Sequence, residues 1–189
     1  MLKLHVIIAS TRPGRVGPAI GNWFHEFALK HGTFEVELVD LAEVNLPLLD
    51  EAAHPMQQKY EHEHTKRWSA SVDAADAFVF VTPEYNFSSP ASLVNALDYL
   101  YIEWNYKPVA FVSYGGQSGG IRSVQMTKQI AGTLKMVPIV EAVAIPFFSE
   151  HLDEQRAFVA TASHEKAAGN MLTELLRWAE ALKPLRAGG

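Results

Sequence analysis

Sixteen basic and 21 acidic side chains leave this 189-residue chain with a formal charge of −5, and it contains no cysteine. The length suits one domain with a sizeable core, and 48% hydrophobic against 20% charged residues mark a folded globular chain. The missing cysteine excludes disulfides, thiolate zinc sites, iron–sulfur ligation and a cysteine nucleophile, and the mild acidity speaks against a nucleic-acid partner. The apolar start LKLHVIIAS, broken by Lys3 and His5, is too short for a signal peptide. VPIVEAVAIPFF, interrupted by Glu141 and Pro146, falls short of the roughly 18 apolar residues of a membrane span. The expectation is a soluble cytoplasmic protein.

Leu4 to Ala9 is an apolar run rich in β-branched residues apart from His5, as expected of a strand covered on both faces. STRPGRVG breaks it. Ile20, Trp23, Phe24, Phe27 and His31 then recur at helical spacing, with Pro18 in the first turn. FEVELVDL alternates apolar and acidic residues and reads as a strand near a sheet edge, followed over 42–57 by a long surface loop. From Gln57 to Ala75 the chain is charged and reads as a helix, and AFVFVT, Ala77 to Thr82, is a third, buried strand. Ala91 to Trp104 reads as a helix with Leu93, Ala96, Leu97 and Leu100 in one stripe. KPVAFVSY is a fourth strand, Ile121 to Leu134 a helix and VPIVEAVAI a fifth strand. A long helix from Asp153 to Leu182 places Met171, Leu175, Trp178 and Leu182 on one face.

Strands alternating with helices, with no repeat or linker, specify a single α/β domain over residues 1–189. The expected architecture is a three-layer sandwich around a five-stranded parallel sheet of flavodoxin-like order 2-1-3-4-5. Ligands of such sheets bind beyond the carboxyl ends of the strands, at the switch point between strands 1 and 3. That rule picks out the loops after strands 1, 3 and 4. In the first, Ser10 to Gly17, hydroxyls, backbone amides at a helix start, Arg12 and Arg15 suit a phosphate, with a solvated basic turn as the alternative. The Walker A pattern is absent. The second, Pro83 to Pro90, suits a flat heterocycle or is simply a turn that opens a helix. The third, Ser113 to Gly120, has four glycines that permit close backbone approach, or is a plain flexible loop. Gln117 stands where the second glycine of a dinucleotide fingerprint belongs.

Taken together, ASTRPGRVG, PEYNFSSPASLVNALDYL and SYGGQSGGIRS resemble the loops of the NAD(P)H-dependent FMN reductases, flavodoxin-like flavoproteins that include quinone, azo-dye and chromate reductases. The likeness runs from Lys3 to Phe148, and PEYN followed by NALD is its most specific part. Ala9, Ala91 and Val94 depart from the family pattern at loop edges, which bears on subfamily and substrate more than on flavin. The resemblance implies that Ser10, Arg12, Arg15, Val16 and Gly17 hold the FMN phosphate. Pro83, Glu84, Tyr85 and Asn86 would line the isoalloxazine, and Ser113, Tyr114, Gly115 and Gly116 would close its other edge. It implies NADPH or NADH as co-substrate, with Arg12 or Arg122 as candidates for a 2′-phosphate. It further implies that hydride passes to FMN and two electrons then pass to a small-molecule acceptor such as a quinone or flavin, in a ping-pong cycle that names no catalytic side chain. It implies a homodimer or a dimer of dimers with the flavin sites near the interface. Tyr99, Tyr101, Trp104 and Tyr106 fit such an interface or packing within one subunit.

Three rival readings compete. His54, His62 and His64 cluster in sequence, but on a helix His62 and His64 would point about 200° apart, which reads as a solvated face and not a metal site. An FMN-binding electron carrier or flavin-state sensor would use the same cofactor site without being an enzyme. A serine hydrolase centred on Ser118 lacks the GxSxG elbow.

Overall fold

The computed structural model describes residues 1–187, so residues 188 and 189 of the single-domain reading lie outside the described residues. Strand β1 (Lys3–Ile8) pairs in parallel with both β2 (Glu35–Asp40) and β3 (Ala77–Pro83). Strand β4 (Pro108–Tyr114) lies beside β3, and β5 (Val137–Ile145) closes the sheet in the order β2-β1-β3-β4-β5. Every residue of β3 and β4 is buried, as their unbroken apolar runs require of central strands. The alternating sequence of β2 and the solvent-facing Val140 of β5 belong to the two edges.

Side chains leave each strand alternately to the two faces, so the core has two halves. On one face Leu4, Val6, Val79, Val81 and Val112 pack under α1 (Gly17–His31) and α6 (Ala162–Ala187), which contribute Ile20, Phe24, Met171 and Leu175. The other face carries Ile7, Phe78, Phe80 and Phe111 beneath α3 (Glu63–Ala74), α4 (Ala91–Asp98) and α5 (Ile121–Thr133). There the Phe78 and Trp104 rings meet edge to face at 4.9 Å. No described helix is long and apolar enough to cross a membrane.

Four expectations need correction. The loop over 42–57 contains a short helix, α2 (Leu41–Val44), because the Asp40 carboxylate accepts from the Ala42 amide and caps it. Helix α3 starts at Glu63, not Gln57: Gln58 is left-handed at φ 50°, and Glu51 accepts from the amides of Glu61 and His62 at 2.8 and 3.0 Å, supplying a cap from outside the segment. Helix α4 ends at Asp98, and Ile102–Trp104 forms a 3-10 turn. The carboxylate of Glu103 is drawn inward there, accepting from Ser69 Oγ at 2.6 Å, Tyr60 Oη at 2.8 Å and Gln58 Nε2 at 3.3 Å. The last helix begins at Ala162 because Asp153 folds back on the amides of Gln155 and Ala157, and Leu152 pairs with Phe158. On that helix Met171, Leu175 and Leu182 are buried, but Trp178 stands at the rim of the stripe, 40% exposed.

Candidate active site

The carboxyl ends of β1, β3, β4 and β5 meet around a cleft of about 470 Å³ on the α1 side of the sheet. It is lined by Arg12, Arg15 and Val16 from the first loop, by Pro83 to Asn86 from the second, by Tyr114 to Gly116 from the third, and by Phe148 after β5. Such a volume lies within the range of small-molecule sites. Helix α1 points its amino end here, with no side-chain cap and no acidic residue in its first turn. Backbone amides and the positive end of the dipole are left for an anion.

Close packing shapes the first loop. A Cβ built on Gly17 would lie 2.2 Å from Ser10 Oγ and 3.1 Å from Tyr114 Oη, so only glycine lets α1 start this near β1 and β4. Tyr114 donates to Ser10 Oγ at 3.2 Å, and burial pushes its phenol up to about 12, which keeps it neutral. Arg15 is anchored at its tip by three hydrogen bonds. Nη1 donates to the Ser10 carbonyl at 2.7 Å and to Asp40 Oδ1 at 2.6 Å, and Nη2 donates to Asp40 Oδ2 at 2.6 Å. Arg12 is exposed, and its guanidinium makes only a long contact with the Pro13 carbonyl at 3.4 Å.

The second loop is a tight turn in which Tyr85 and Ser88 exchange backbone hydrogen bonds at 3.0 Å. Asn86 and Phe87 between them are left-handed, at φ 50° and 65°; asparagine adopts this readily, whereas for phenylalanine it costs of order 1–2 kcal/mol. The Glu84 carboxylate is tied within the chain: Ser118 Oγ, the Arg122 amide and Arg122 Nη1 donate to it at 2.9, 3.1 and 2.7 Å. Partial burial pushes Glu84 up, but these donors outweigh it and hold the carboxyl below its usual range. Arg122 also lies over the Phe87 ring, 4.0 Å from its centre. In the third loop Ser113 Oγ donates to the Gly119 carbonyl at 2.8 Å. The amides of Phe147 and Phe148 donate to the carbonyls of Gly116 and Gly115, which brings Phe148 into the cleft at 5.7 Å, edge to face, from Tyr114.

Ten of the thirteen residues picked out in sequence line this one cleft, and Ser10, Gly17 and Ser113 sit behind its wall as packing and loop-closing groups. Sequence reasoning passed over Phe148 and Asp40, although both follow or end a strand at the same carboxyl edge and the rule used for the three loops reaches them too. Tyr99 and Trp104 belong to the core, and Tyr101 and Tyr106 are half-buried. Because His62 precedes α3 and does not lie within it, its ring stacks on His64 at 5.2 Å beside Asp50, contrary to the divergent geometry expected on a helix. Among the described residues no group of three or more histidines and carboxylates is placed to hold a metal ion. Ser118 is tied to Glu84, and Arg122 is likewise committed there.

Comparison with known proteins identifies the family and the fold. The sequence profile described as NADPH-dependent FMN reductase matches residues 2–150. An NAD(P)H-dependent FMN reductase of Schizosaccharomyces pombe is 45% identical over 148 residues, 76% of this chain and 74% of that protein. One from Saccharomyces cerevisiae is 37% identical over 156 residues, 77% and 82% of the two chains. A quinone reductase of Pseudomonas putida is 30% identical over 130 residues, 66% of each. Among solved structures, the flavoenzyme NAD(P)H:(acceptor) oxidoreductase FerB from Paracoccus denitrificans superimposes with a TM-score of 0.75 at 20% identity, covering 96% of this chain and 98% of that one, a likeness of fold. The matched profile spans all five strands and all three cleft loops, and the chain belongs to the NADPH-dependent FMN reductase family.

Proposed function

We propose that the cleft at the carboxyl ends of β1, β3, β4 and β5 is the FMN site of this NAD(P)H-driven oxidoreductase, and that its cycle is ping-pong. The observation that carries the assignment is the convergence of ten residues, chosen from three separate loops in sequence, on one cleft at an uncapped helix amino terminus. These residues fit the group. The loop from Ser10 to Gly17, with Arg12 held only by a long contact to its neighbour's carbonyl, offers amides and charge to a phosphate. Tyr85, Asn86, Tyr114, Phe148 and the backbone of Gly115 and Gly116 offer aromatic faces and in-plane polar groups to a flat ring. Bound FMN would supply the two-electron chemistry that links NAD(P)H to an acceptor such as a quinone or a flavin. The chain's own work is placement: the first loop neutralises the phosphate, and the second and third loops hold the walls of the cleft. No side chain here has to act as nucleophile.

The site reading extends to one flavodoxin-like domain over residues 1–189 in a cytoplasmic homodimer or dimer of dimers. Phe87, Ile121 and Met126, respectively 68, 51 and 42% exposed, support an interface beside the second loop, with Arg122 one helical turn before Met126. The test is direct. The purified chain is loaded with FMN, NADPH is added without air, and the flavin absorbance is followed before and after a quinone is supplied. Prompt bleaching, recovery with quinone and parallel lines in double-reciprocal plots are expected. Bleaching only with a second protein present would replace this reading by the electron carrier, and intersecting lines would remove the ping-pong cycle.

A further inference from the structure

The two arginines of the first loop are not equivalent. Strand pairing sets Asp40, the last residue of β2, beside Ile8, the last of β1, and so next to the loop that starts at Ser10. Arg15 reaches across to it with both terminal nitrogens, the forked geometry that makes arginine–carboxylate pairs strong and directional. The same guanidinium holds the Ser10 carbonyl, and the same carboxylate caps α2 through the Ala42 amide at 3.0 Å. The arginine side chain of this pair is 18% exposed and the aspartate 12%, so water weakens the bond little. Arg12, in contrast, has only its neighbour's carbonyl at 3.4 Å.

We propose that Arg15 and Asp40 form a brace that holds the first loop in its phosphate-receiving shape, and that Arg12 alone supplies a guanidinium to the phosphate. Arg15 is therefore a positioning residue that works through Asp40 and the Ser10 carbonyl. Asp40 has a second consequence: an acidic residue at the end of β2 is the usual holder of a dinucleotide ribose in a related fold, and here its oxygens already accept three hydrogen bonds from the chain. The inference rests on the cleft being the FMN site.

The decisive variant is Asp40→Asn. If Arg15 were itself the phosphate ligand, removing its competing carboxylate would free it and FMN would bind as well as before or tighter. If Arg15 is a brace, the loop loses its support and FMN binding weakens, by roughly tenfold for one charge-assisted hydrogen-bonded pair. Flavin-stripped wild-type chain, Arg12→Gln, Arg15→Lys, Asp40→Asn and the double variant Arg15→Lys/Asp40→Asn are titrated with FMN and with riboflavin by flavin fluorescence. Riboflavin lacks the phosphate, so its affinity reports whether each variant still folds around the ring. The brace predicts that Arg12→Gln, Arg15→Lys and Asp40→Asn each lower the FMN-to-riboflavin preference roughly tenfold. It also predicts that the double variant is no worse than either of its members. Wild-type affinity in Arg15→Lys, or unchanged or tighter FMN in Asp40→Asn, overturns it. If the wild-type chain binds neither flavin, the site reading itself fails. The brace is then judged in the ligand-free chain, where amide hydrogen exchange over residues 10–17 must quicken in Asp40→Asn, and unchanged protection overturns it.

Discussion

Gly17→Ala tests how the first loop is built. The added methyl lands 2.2 Å from Ser10 Oγ, 2.9 Å from Ile8 Cγ2 and 3.1 Å from Tyr114 Oη, and Ser10 and Tyr114 are 0 and 4% exposed. Relieving the shortest contact requires a movement of about 1 Å in either Ser10 or the start of α1. Overpacking of this kind costs about 1–3 kcal/mol. Turning Ser10 aside also forfeits its hydrogen bond from Tyr114, worth about 1 kcal/mol. Against this, alanine gains about 0.4–1 kcal/mol over glycine by restricting the unfolded chain. The net expectation is a loss of about 1–3 kcal/mol, or a fall in Tm of roughly 2–12 °C for a chain of this size. Thermal unfolding of the flavin-free protein, followed by circular dichroism, measures it. Gly116→Ala is the control, since its Cβ would meet nothing within 4 Å, and with only the gain from the restricted unfolded chain it should unfold roughly 1–4 °C above wild type. A Gly17→Ala protein as stable as the control would refute the claim that Ser10, Gly17 and Tyr114 form one close-packed unit.

The remaining predictions concern buried polar groups. Glu103→Ala strands the donors of Tyr60 and Ser69, and should cost about 3–5 kcal/mol in urea unfolding and expose residues 50–62 to proteolysis; a loss under about 1 kcal/mol would show that these bonds count for little. Burial pushes the Lys107 ammonium down from 10.5 to about 8, against the opposing pull of Asp73, so between those values the unfolded chain binds more protons than the folded one and stability rises with pH. The stability difference between wild type and Lys107→Met should therefore grow in favour of wild type by on the order of 2–3 kcal/mol from pH 8 to 10.5, and a flat difference would refute it. Glu84 is held below its ordinary 4.5, so its contribution is fully present above that value and is lost as pH falls through the depressed one. Glu84→Gln should flatten this acid limb in equilibrium unfolding, and an identical limb in the two proteins would show that the clamp on Ser118 and Arg122 does not matter.

Reading the sheet from sequence succeeded where the physics is local. β3 and β4 announce themselves as unbroken apolar runs because both faces are covered, and β2 shows its alternation because it stands at an edge. The carboxyl-edge rule then turned three loops of odd composition into one cleft. What failed was set by partners far along the chain. The start of α3 depends on Glu51 receiving the amides of Glu61 and His62, and the end of α4 on Glu103 being drawn in by Tyr60 and Ser69; neither pairing leaves a periodic trace. The misplaced start of α3 propagated into the angle assigned to His62 and His64, since a helical period cannot be applied to a residue standing before the helix. Asp40 and Arg15 are 25 residues apart and meet only because β1 and β2 run parallel in register.

That last case bears on how polar loop residues are read generally. Ser10, Arg15, Glu84, Ser113, Ser118 and Arg122 all look like ligand contacts in a list of loop residues, yet each spends its hydrogen bonds tying one loop to another or closing its own. Ser89 does the same, binding Thr127 at 2.6 Å and the Ser123 carbonyl at 3.0 Å, and so fastens the second loop to α5. On the proposed FMN site, what remains for the ligand is backbone, Arg12, Tyr85, Asn86 and the Tyr114–Phe148 wall. A protein whose cofactor performs the electron transfer has no need of reactive side chains, but it does need walls that do not shift when the cofactor gains or loses charge. Cross-loop ion pairs and hydroxyl contacts supply that rigidity, and the absence of cysteine costs it nothing. On this view substitutions among the loop-tying residues should change cofactor retention before they change turnover per bound flavin, whereas substitutions at Tyr85 or Phe148 should do the reverse. Measuring occupancy and turnover per flavin side by side separates the two classes, and a loop-tying variant with full occupancy but slowed turnover would contradict the division.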